Sequence, residues 1–328
     1  MTNLQILYAF GNCGIDDNGI KNLNLIELIF SRNPKITNVN HMTKLKILDA
    51  SLNSSIDDNG IKNLNLIELY LSDNSKITNI NHMTNLQILH LSGDCGIDDN
   101  GINNLNLIEL HVSNNPKIRN VNHMTNLQIL DASYDCGIDD NGIKDLNLIK
   151  ITALENSKIK NINHMTNLQI LNAFGDCGLD DNGIKDLNLI ELYASNNPKI
   201  KNLNHMINLK ILYANGNTCG IDDNGIKDLN LINLEARDNA KITNVNHMTN
   251  LKILIASINC GIDDNGIKDL NLIELFARDN AKITNVNHMS NLQILDASYN
   301  CGIDDNSIKD LNLIKLTAYD NQKITKKL

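Results

Sequence analysis

LQILDASYDCGIDDNGIKDLNLIKITALENSKIKNINHMTN, residues 127–167, recurs eight times with small edits, and the copies account for essentially the whole chain. The leucine that opens each copy stands at Leu4, Leu45, Leu86, Leu127, Leu168, Leu209, Leu251 and Leu292, a spacing of 41 residues lengthened once, where Thr218 is inserted before Cys219. Self-similarity at such a fixed period marks a solenoid, in which a unit too small to bury its own apolar face buries it against its neighbours. Each copy divides into halves of 21 and 20 residues that share the skeleton L-x-x-L-x-(A/L/V/F)-x-x-(N/D)-x-x-I. Leu127, Leu130, Ala132, Asp135 and Ile138 fill it in the first half, and Leu148, Ile151, Ala153, Asn156 and Ile159 in the second. Sixteen stacked coils follow, each with a strand whose fourth and sixth positions point inward and whose fifth and seventh point outward.

The skeleton resembles the leucine-rich repeat, a short strand followed by a helix or 3₁₀ turn. In the first halves N/D-C-G-I-D-D-N-G-I-x-x-L, as at residues 12–23 and 135–146, is similar to the cysteine-containing subtype C-x-x-I-T-D-x-G-I-x-x-L, with the cysteine one place late. The second halves, such as LIELYLSDNSKITNI at residues 66–80, are similar to the short L-x-L-S-x-N-x-I-T-N-I type of bacterial surface and phosphatase-regulatory repeats. This mixture is of the kind found in large DNA viruses and protists, and the heavy use of Asn, Ile, Lys and Asp is compatible with an AT-rich genome. The resemblance implies an α/β solenoid, a horseshoe or arc with a parallel sheet on its concave face and short helical or 3₁₀ turns on its convex face. It implies a protein-interaction module binding a protein partner on the concave sheet. The likeness to the cysteine-containing subtype implies a sharper version, the substrate-recognition arm of a ubiquitin-ligase assembly, with the recruiting half on another chain because no F-box-like helical segment is present.

Composition fits this architecture. A solenoid core grows by stacking, so residues 1–328 read as a single domain of eight double repeats of 41–42 residues without separate caps. Sixteen strands at about 4.8 Å give an inner face roughly 75 Å long, the scale of a protein partner. Aromatics are 3% of the chain and Trp is absent, so Leu, Ile and Ala carry the burial. A net charge of −9 with scattered Lys argues against nucleic acid, which requires a clustered basic face; the one basic cluster is the small end at Lys323, Lys326 and Lys327. The start MTNLQIL has no signal-peptide pattern and no stretch is long enough to span a membrane, so a cytoplasmic location without membrane contact is expected.

Residues with chemical potential recur as ladders. Cys13, Cys95, Cys136, Cys177, Cys219, Cys260 and Cys301 occupy one place in alternate coils, with Ser54 in that place in the second copy. Neighbours two strand spacings apart, roughly 10 Å, are too distant for a disulfide or a metal, and buried unpaired thiols are expected. The same spacing argues against zinc on His41, His82, His123, His164, His205, His247 and His288, read as a solvated convex row. The Asp pairs, from Asp16-Asp17 to Asp304-Asp305, lack the oxygen spacing of a calcium loop and are expected to cap short helical turns and to pair with the Lys ladder, Lys35, Lys76, Lys117 and onward, in adjacent coils. Spacing by three at Ile159, Ile162, Met165 and Leu168 predicts 3₁₀ turns in the second halves. Asn33, Asn74, Asn115, Asn156, Asn197, Asn239, Asn280 and Asn321 are expected to satisfy buried backbone groups. Every candidate nucleophile or base is a repeated term and no phosphate-cradling glycine loop occurs, so the chain reads as non-enzymatic, with no catalytic residue, cofactor or metal.

Variation between copies is confined to the fifth, seventh and eighth positions, where ten of the eleven aromatics fall; Phe30 lies in the core series. Tyr8, Tyr70, Phe174, Tyr193, Tyr213, Arg237, Phe276 and Arg278 are the candidate partner-binding residues, with Phe174, Tyr193 and Tyr213 on successive coils as an aromatic patch. Arg237 and Arg278 stand two coils apart, near Glu235. The alternative function is structural: the chain begins and ends in mid-repeat, and either end-to-end self-association into a scaffold or removal from a longer protein is the corresponding expectation. A peptide or glycan ligand outside the cell is the remaining class.

Overall fold

The computed structural model describes residues 3–325; Met1, Thr2 and the basic end at Lys326 and Lys327 lie outside them. The chain divides into two compact units, Met1–Asn167 and Leu168–Leu328, whose boundary coincides with the start of the fifth copy of the repeat. In the N-terminal unit eight three-residue strands run from Ile6–Tyr8 to Lys150–Thr152, and in the C-terminal unit eight run from Ile170–Asn172 to Lys315–Thr317. Within each unit consecutive strands pair in parallel with equivalent repeat positions opposed: Leu89 faces Leu110 and His90 faces His111 in one, and Leu192 faces Leu212 and Tyr193 faces Tyr213 in the other. The sixteen coils read from the sequence are thus formed, one strand to a coil, as an α/β solenoid.

The core follows the skeleton. Leu130 and Ala132 at the fourth and sixth positions, Ile138, Ile143 and Leu146 along the first return, and Ile159, Ile162 and Met165 along the second are buried. Each fully buried Leu or Ile contributes about 1.5–3 kcal/mol, and with almost no aromatics the core depends on their number. Between the apolar rows runs the asparagine ladder. Asn156 is buried, its Nδ2 donates to the Ala132 carbonyl of the preceding coil at 2.7 Å, and its Oδ1 accepts from the Lys158 amide at 2.8 Å. The bond to the preceding coil recurs at all eight positions, between 2.7 and 3.1 Å. All seven cysteines are free, and all but Cys13 are buried. Burial pushes the thiols of Cys95, Cys136 and Cys260 up to about 11. Ser54 stands in for a cysteine and donates to the Ala50 carbonyl at 2.7 Å.

The first return is a single helical turn, such as Asp223–Ile226, and the two carboxylates before and within it divide the work. Asp222 is the N-cap and accepts from the Gly225 amide at 3.0 Å. Asp223 reaches forward to the next coil, accepting from the amides of Thr243 at 2.7 Å and Asn244 at 3.2 Å and from the Thr243 hydroxyl at 2.5 Å. The expected pairing of the Asp pairs with the Lys ladder does not form. Lys117, Lys158 and Lys199 instead reach the ninth-position carboxylates Asp94, Asp135 and Asp176 at 3.1, 3.0 and 2.7 Å, because those residues stand beside the lysine row while the Asp pairs are committed to amides. The second return closes through i→i+3 bonds, Met165 to Ile162 and Leu127 to Met124, both 3.0 Å, as the spacing of three predicts. The histidine ladder is exposed, yet each ring is tethered: Nε2 lies between 3.0 and 3.3 Å from an Ile carbonyl of the preceding coil and donates to it.

The glycine of D-D-N-G sits where coils approach most closely. A Cβ on Gly225 would come within 1.8 Å of the Lys201 carbonyl oxygen, and one on Gly142 within 2.0 Å of that of Arg119. The exception is Ser307, which turns the contact into a hydrogen bond to the Thr284 carbonyl at 2.5 Å and lies in a 3₁₀ turn, Asn306–Ile308. Replacing Gly225 with Ala is therefore expected to destabilise the protein by about 1–3 kcal/mol, the usual cost of overpacking. Urea denaturation measures it, and an unchanged midpoint would show that the coils separate without cost.

Candidate functional site

The face of the sheet away from the core is built from three rows. The fifth and seventh positions were anticipated; the third was missed, although strand alternation places it beside the fifth. It carries Glu27, Glu68, Glu109, Glu191 and Glu274, all half-buried, alternating with isoleucines such as Ile88 and Ile211. With these glutamates present, each aromatic at a fifth position has a carboxylate two residues away on its own strand or one strand over.

In the N-terminal unit, parallel register stacks Tyr70, His90 and His111 on three successive coils. The Tyr70 and His90 ring centroids are 4.3 Å apart, and those of His90 and His111 are 4.1 Å apart with planes within 5°. His111 is clamped between carboxylates: its Nε2 lies 2.6 Å from Glu109 Oε1 and its Nδ1 3.8 Å from Asp131 Oδ2. Asp131 also accepts from Ser133 at 2.5 Å and Ser113 at 2.8 Å. Burial works against the His111 imidazolium, but the Asp131 and Glu109 carboxylates outweigh it and its pKa lies above the ordinary value. His90 goes the other way, pushed down to about 4 by burial and then by His111. Tyr70 donates to Glu68, and burial, followed by that carboxylate, pushes its hydroxyl up to about 12. Of this group only Tyr70 was singled out in the sequence; His90 and His111 were visible as fifth-position residues, but their roles follow from the flanking third-position glutamates.

In the C-terminal unit Tyr193 and Tyr213 stack with centroids 4.1 Å apart and planes within 4°. Phe174 does not extend this stack. Register sets Tyr193 against Asn172, so Phe174, at a seventh position, belongs to the next row and is flanked by Ser195. The patch read along successive coils is thus a tyrosine pair with a phenylalanine beside it. Phe276 lies between Ile255 and Asp296. Tyr8, near the start of the chain, donates to Glu27 at 3.1 Å and stacks on Phe10 at 5.9 Å. Asn215 bridges the rows, donating to Glu235 at 3.0 Å and accepting from the Arg237 amide at 2.8 Å. Arg278 places its guanidinium 4.4 Å over the ring of Tyr299.

The eighth position has a different explanation from the other variable ones. In all sixteen coils its φ is positive, from Gly11 at 59° to Asp320 at 55°. The left-handed region suits Gly, Asn and Asp, which hold ten of these places; Arg32, Leu52, Tyr134, Glu155, Ile258 and Tyr299 hold the rest against a steric cost. Ile258, β-branched with φ 63°, is the most strained kind of occupant.

No protein-family model and no curated protein matches the chain. Solved structures do. A chain of the TLR13–ssRNA13 complex superposes with a TM-score of 0.57 at 17% identity, over 99% of this chain and 57% of that one, so the present chain spans little more than half its length. A chain of the mouse RP105/MD-1 complex gives 0.49 at 15% identity over 96% and 67% of the two chains. A leucine-rich-repeat protein of Leptospira interrogans gives 0.47 at 16% identity over 95% and 90%. The fold is that of the leucine-rich repeat. Identity this low speaks to fold alone, and the chemistry must be read from the chain's own residues.

The leucine-rich-repeat frame sorts those residues into two groups. Asn, Asp, Cys and Lys ladders are spent on bonds between coils, and among the described residues no group of three or more His, Cys, Asp or Glu side chains converges as metal ligands would. The open face instead presents preformed ring stacks edged by carboxylates, suited to ring and cation contacts.

Two outcomes follow. An unfolded histidine takes up its proton near pH 6.5, whereas folded His90 does so near 4, so the unfolded state binds more protons between these values and His90 lowers stability as pH falls through that window. His111 has the opposite sign: its contribution is present below the unfolded value and lost as pH rises through its folded one. Replacing His90 with Gln should therefore reduce the drop in urea midpoint between about pH 7 and about pH 4.5, and an identical drop in both proteins would refute this. At the eighth position, Ile258→Gly should stabilise the protein by about 1 kcal/mol through relief of the left-handed strain, and a lowered midpoint would show that Ile258 is held by packing instead.

Proposed function

We propose that this leucine-rich-repeat chain is a non-enzymatic protein-interaction module whose partner lies along the open face of the sheet. The observation that supports this most directly is the stacking of half-buried aromatic rings there, Tyr70 on His90 and Tyr193 on Tyr213. Stacked rings with restricted rotamers lose little entropy on binding and present large contact areas, which is what interface hot spots require. TLR13 was solved with ssRNA, so nucleic acid has to be weighed on this chain's own charges. A net charge of −9, with Glu27, Glu68, Glu109, Glu191 and Glu274 on the face itself, opposes a polyanion. Among the described residues no helix is long and apolar enough to cross a membrane. Seven unpaired thiols support a reducing compartment, and the cytosol is the location we assign.

The test is capture from a cytosolic extract with three baits: the intact protein, a variant with Tyr70, Tyr193 and Tyr213 changed to Ser, and a variant with Lys144, Lys185 and Lys227 on the returns changed to Ser. A partner held by the first and third baits and lost by the second supports binding on the sheet face. A partner lost only with the lysine variant would move the interface to the returns and overturn the proposal.

A further inference from the structure

The chain as a whole is acidic, yet the seventh-position row of the C-terminal unit carries two arginines with no acidic partner. Arg237 and Arg278 are both exposed, and among the described residues neither guanidinium takes part in an ion pair; the ion pairs among those residues involve Lys117, Lys158, Lys199 and His111. Parallel register places the two arginines in one row with Ser257 between them, about 9.6 Å apart at their Cα atoms, so that both side chains can close on a single group. A cavity of about 340 Å³ lies there, lined by Arg237, Ser257, Ile258, Arg278, Asp279 and Tyr299.

The floor of this cavity is distinctive. Ile258 and Tyr299 are the only occupants of the left-handed eighth position in this unit that are not Gly, Asn or Asp. Both residues line the cavity that Arg237 and Arg278 also line. Within this unit, strain gathered at that one cavity points from geometry to use. Tyr299 holds the Arg278 guanidinium against its face at 4.4 Å, which fixes the direction of the fork, and it is itself braced edge-on by Tyr319 at 5.3 Å.

Building on the interaction-module reading, we infer that this cavity is an anion-recognition pocket for a side chain of the partner polypeptide, a carboxylate or a phosphorylated residue, with a neighbouring apolar side chain resting on Ile258 and Tyr299. Guanidinium forks match both oxyanions in bidentate geometry. A nucleic-acid backbone fits less well, since two cations stand among Asp238, Asp279 and Asp296, and a repeating polyanion would meet those carboxylates at its next phosphates.

The experiment uses the full chain and four fluorescein-labelled probes: a short glutamate-rich peptide with one phenylalanine, its phosphoserine counterpart, its glutamine counterpart, and a short single-stranded RNA. Anisotropy titrations should show the glutamate or the phosphoserine peptide binding and the glutamine peptide not, and which of the first two binds tighter identifies the anion. Changing Arg237 and Arg278 together to Gln should weaken binding roughly tenfold or more, with Arg→Lys at both positions restoring only part of it, while Arg32→Gln in the other unit leaves it unchanged. Equal binding of the glutamine peptide, tighter binding of the RNA, or an unaltered affinity in the double variant would each overturn the pocket. If the acidic peptides fail while the tyrosine variant still loses its captured partner, the pocket is wrong and the interaction module stands; if both fail, the module falls with it.

Discussion

The whole structure rests on one requirement: each turn inward must find partners for the backbone groups it buries. A repeat of about 20 residues has no room for a long helix or a wide sheet to do this internally, and an unpaired buried group costs about 1–3 kcal/mol. The buried asparagine solves it once per double repeat. Its amide takes a carbonyl from the coil before, and its oxygen takes an amide from its own turn, so the side chain is a backbone bridge that happens to be covalently attached elsewhere. The second Asp of each pair does the same on the exposed edge, across to the following coil. Adjacent coils are thereby locked in register, and the fixed register is what lets the fifth-position rings meet face to face.

These bonds also explain why so few residue types recur. Gly225 can only be Gly or a residue that converts a clash into a hydrogen bond, as Ser307 does. A cysteine can be exchanged for Ser54 because both offer a small weakly polar group to the same asparagine and carbonyl. Variation is greatest at the fifth, seventh and eighth positions, whose side chains lie outside the buried ladders. The open face is therefore the part of the molecule free to change without loss of the fold, and the natural place for recognition.

The fold was legible in the sequence because the solenoid repeats its constraints. Period, half-repeat, strand alternation, the roles of Asn and Cys and the capping role of the first Asp could all be taken from the skeleton of residues 127–167, whereas the reach of the second Asp to the next coil could not. The site was less legible, for three physical reasons. Strand alternation was applied to the fifth and seventh positions but not the third, which hid the glutamates that set the charge state of His111. Phe174 and Tyr193 fall on successive coils, yet sequence adjacency of coils does not distinguish rows, and one residue pair along the strand separates them. The eighth position looked variable because its constraint is on φ and not on side-chain chemistry: Gly, Asp and Asn are unlike as side chains and alike as left-handed residues.

That last distinction changes how variety should be read. At the fifth position, Tyr, His, Asp, Thr and Ile are all compatible with an extended backbone, so their mixture carries little cost and by itself shows only freedom. At the eighth position a residue such as Ile258 opposes the backbone, and its retention needs a return from somewhere other than the fold. The Ile258 amide donates to the Arg278 carbonyl of the next coil at 2.8 Å, a bond any residue there would make, and its side chain, 37% exposed, is only partly packed. The open-face stacks give the chain a surface on which a partner can rest. Ile258 and Tyr299, which line one cavity with Arg237 and Arg278, mark a point on that surface of the C-terminal unit where the chain accepts the left-handed cost, and a departure that costs stability is a stronger indication of selection than any number of tolerated substitutions.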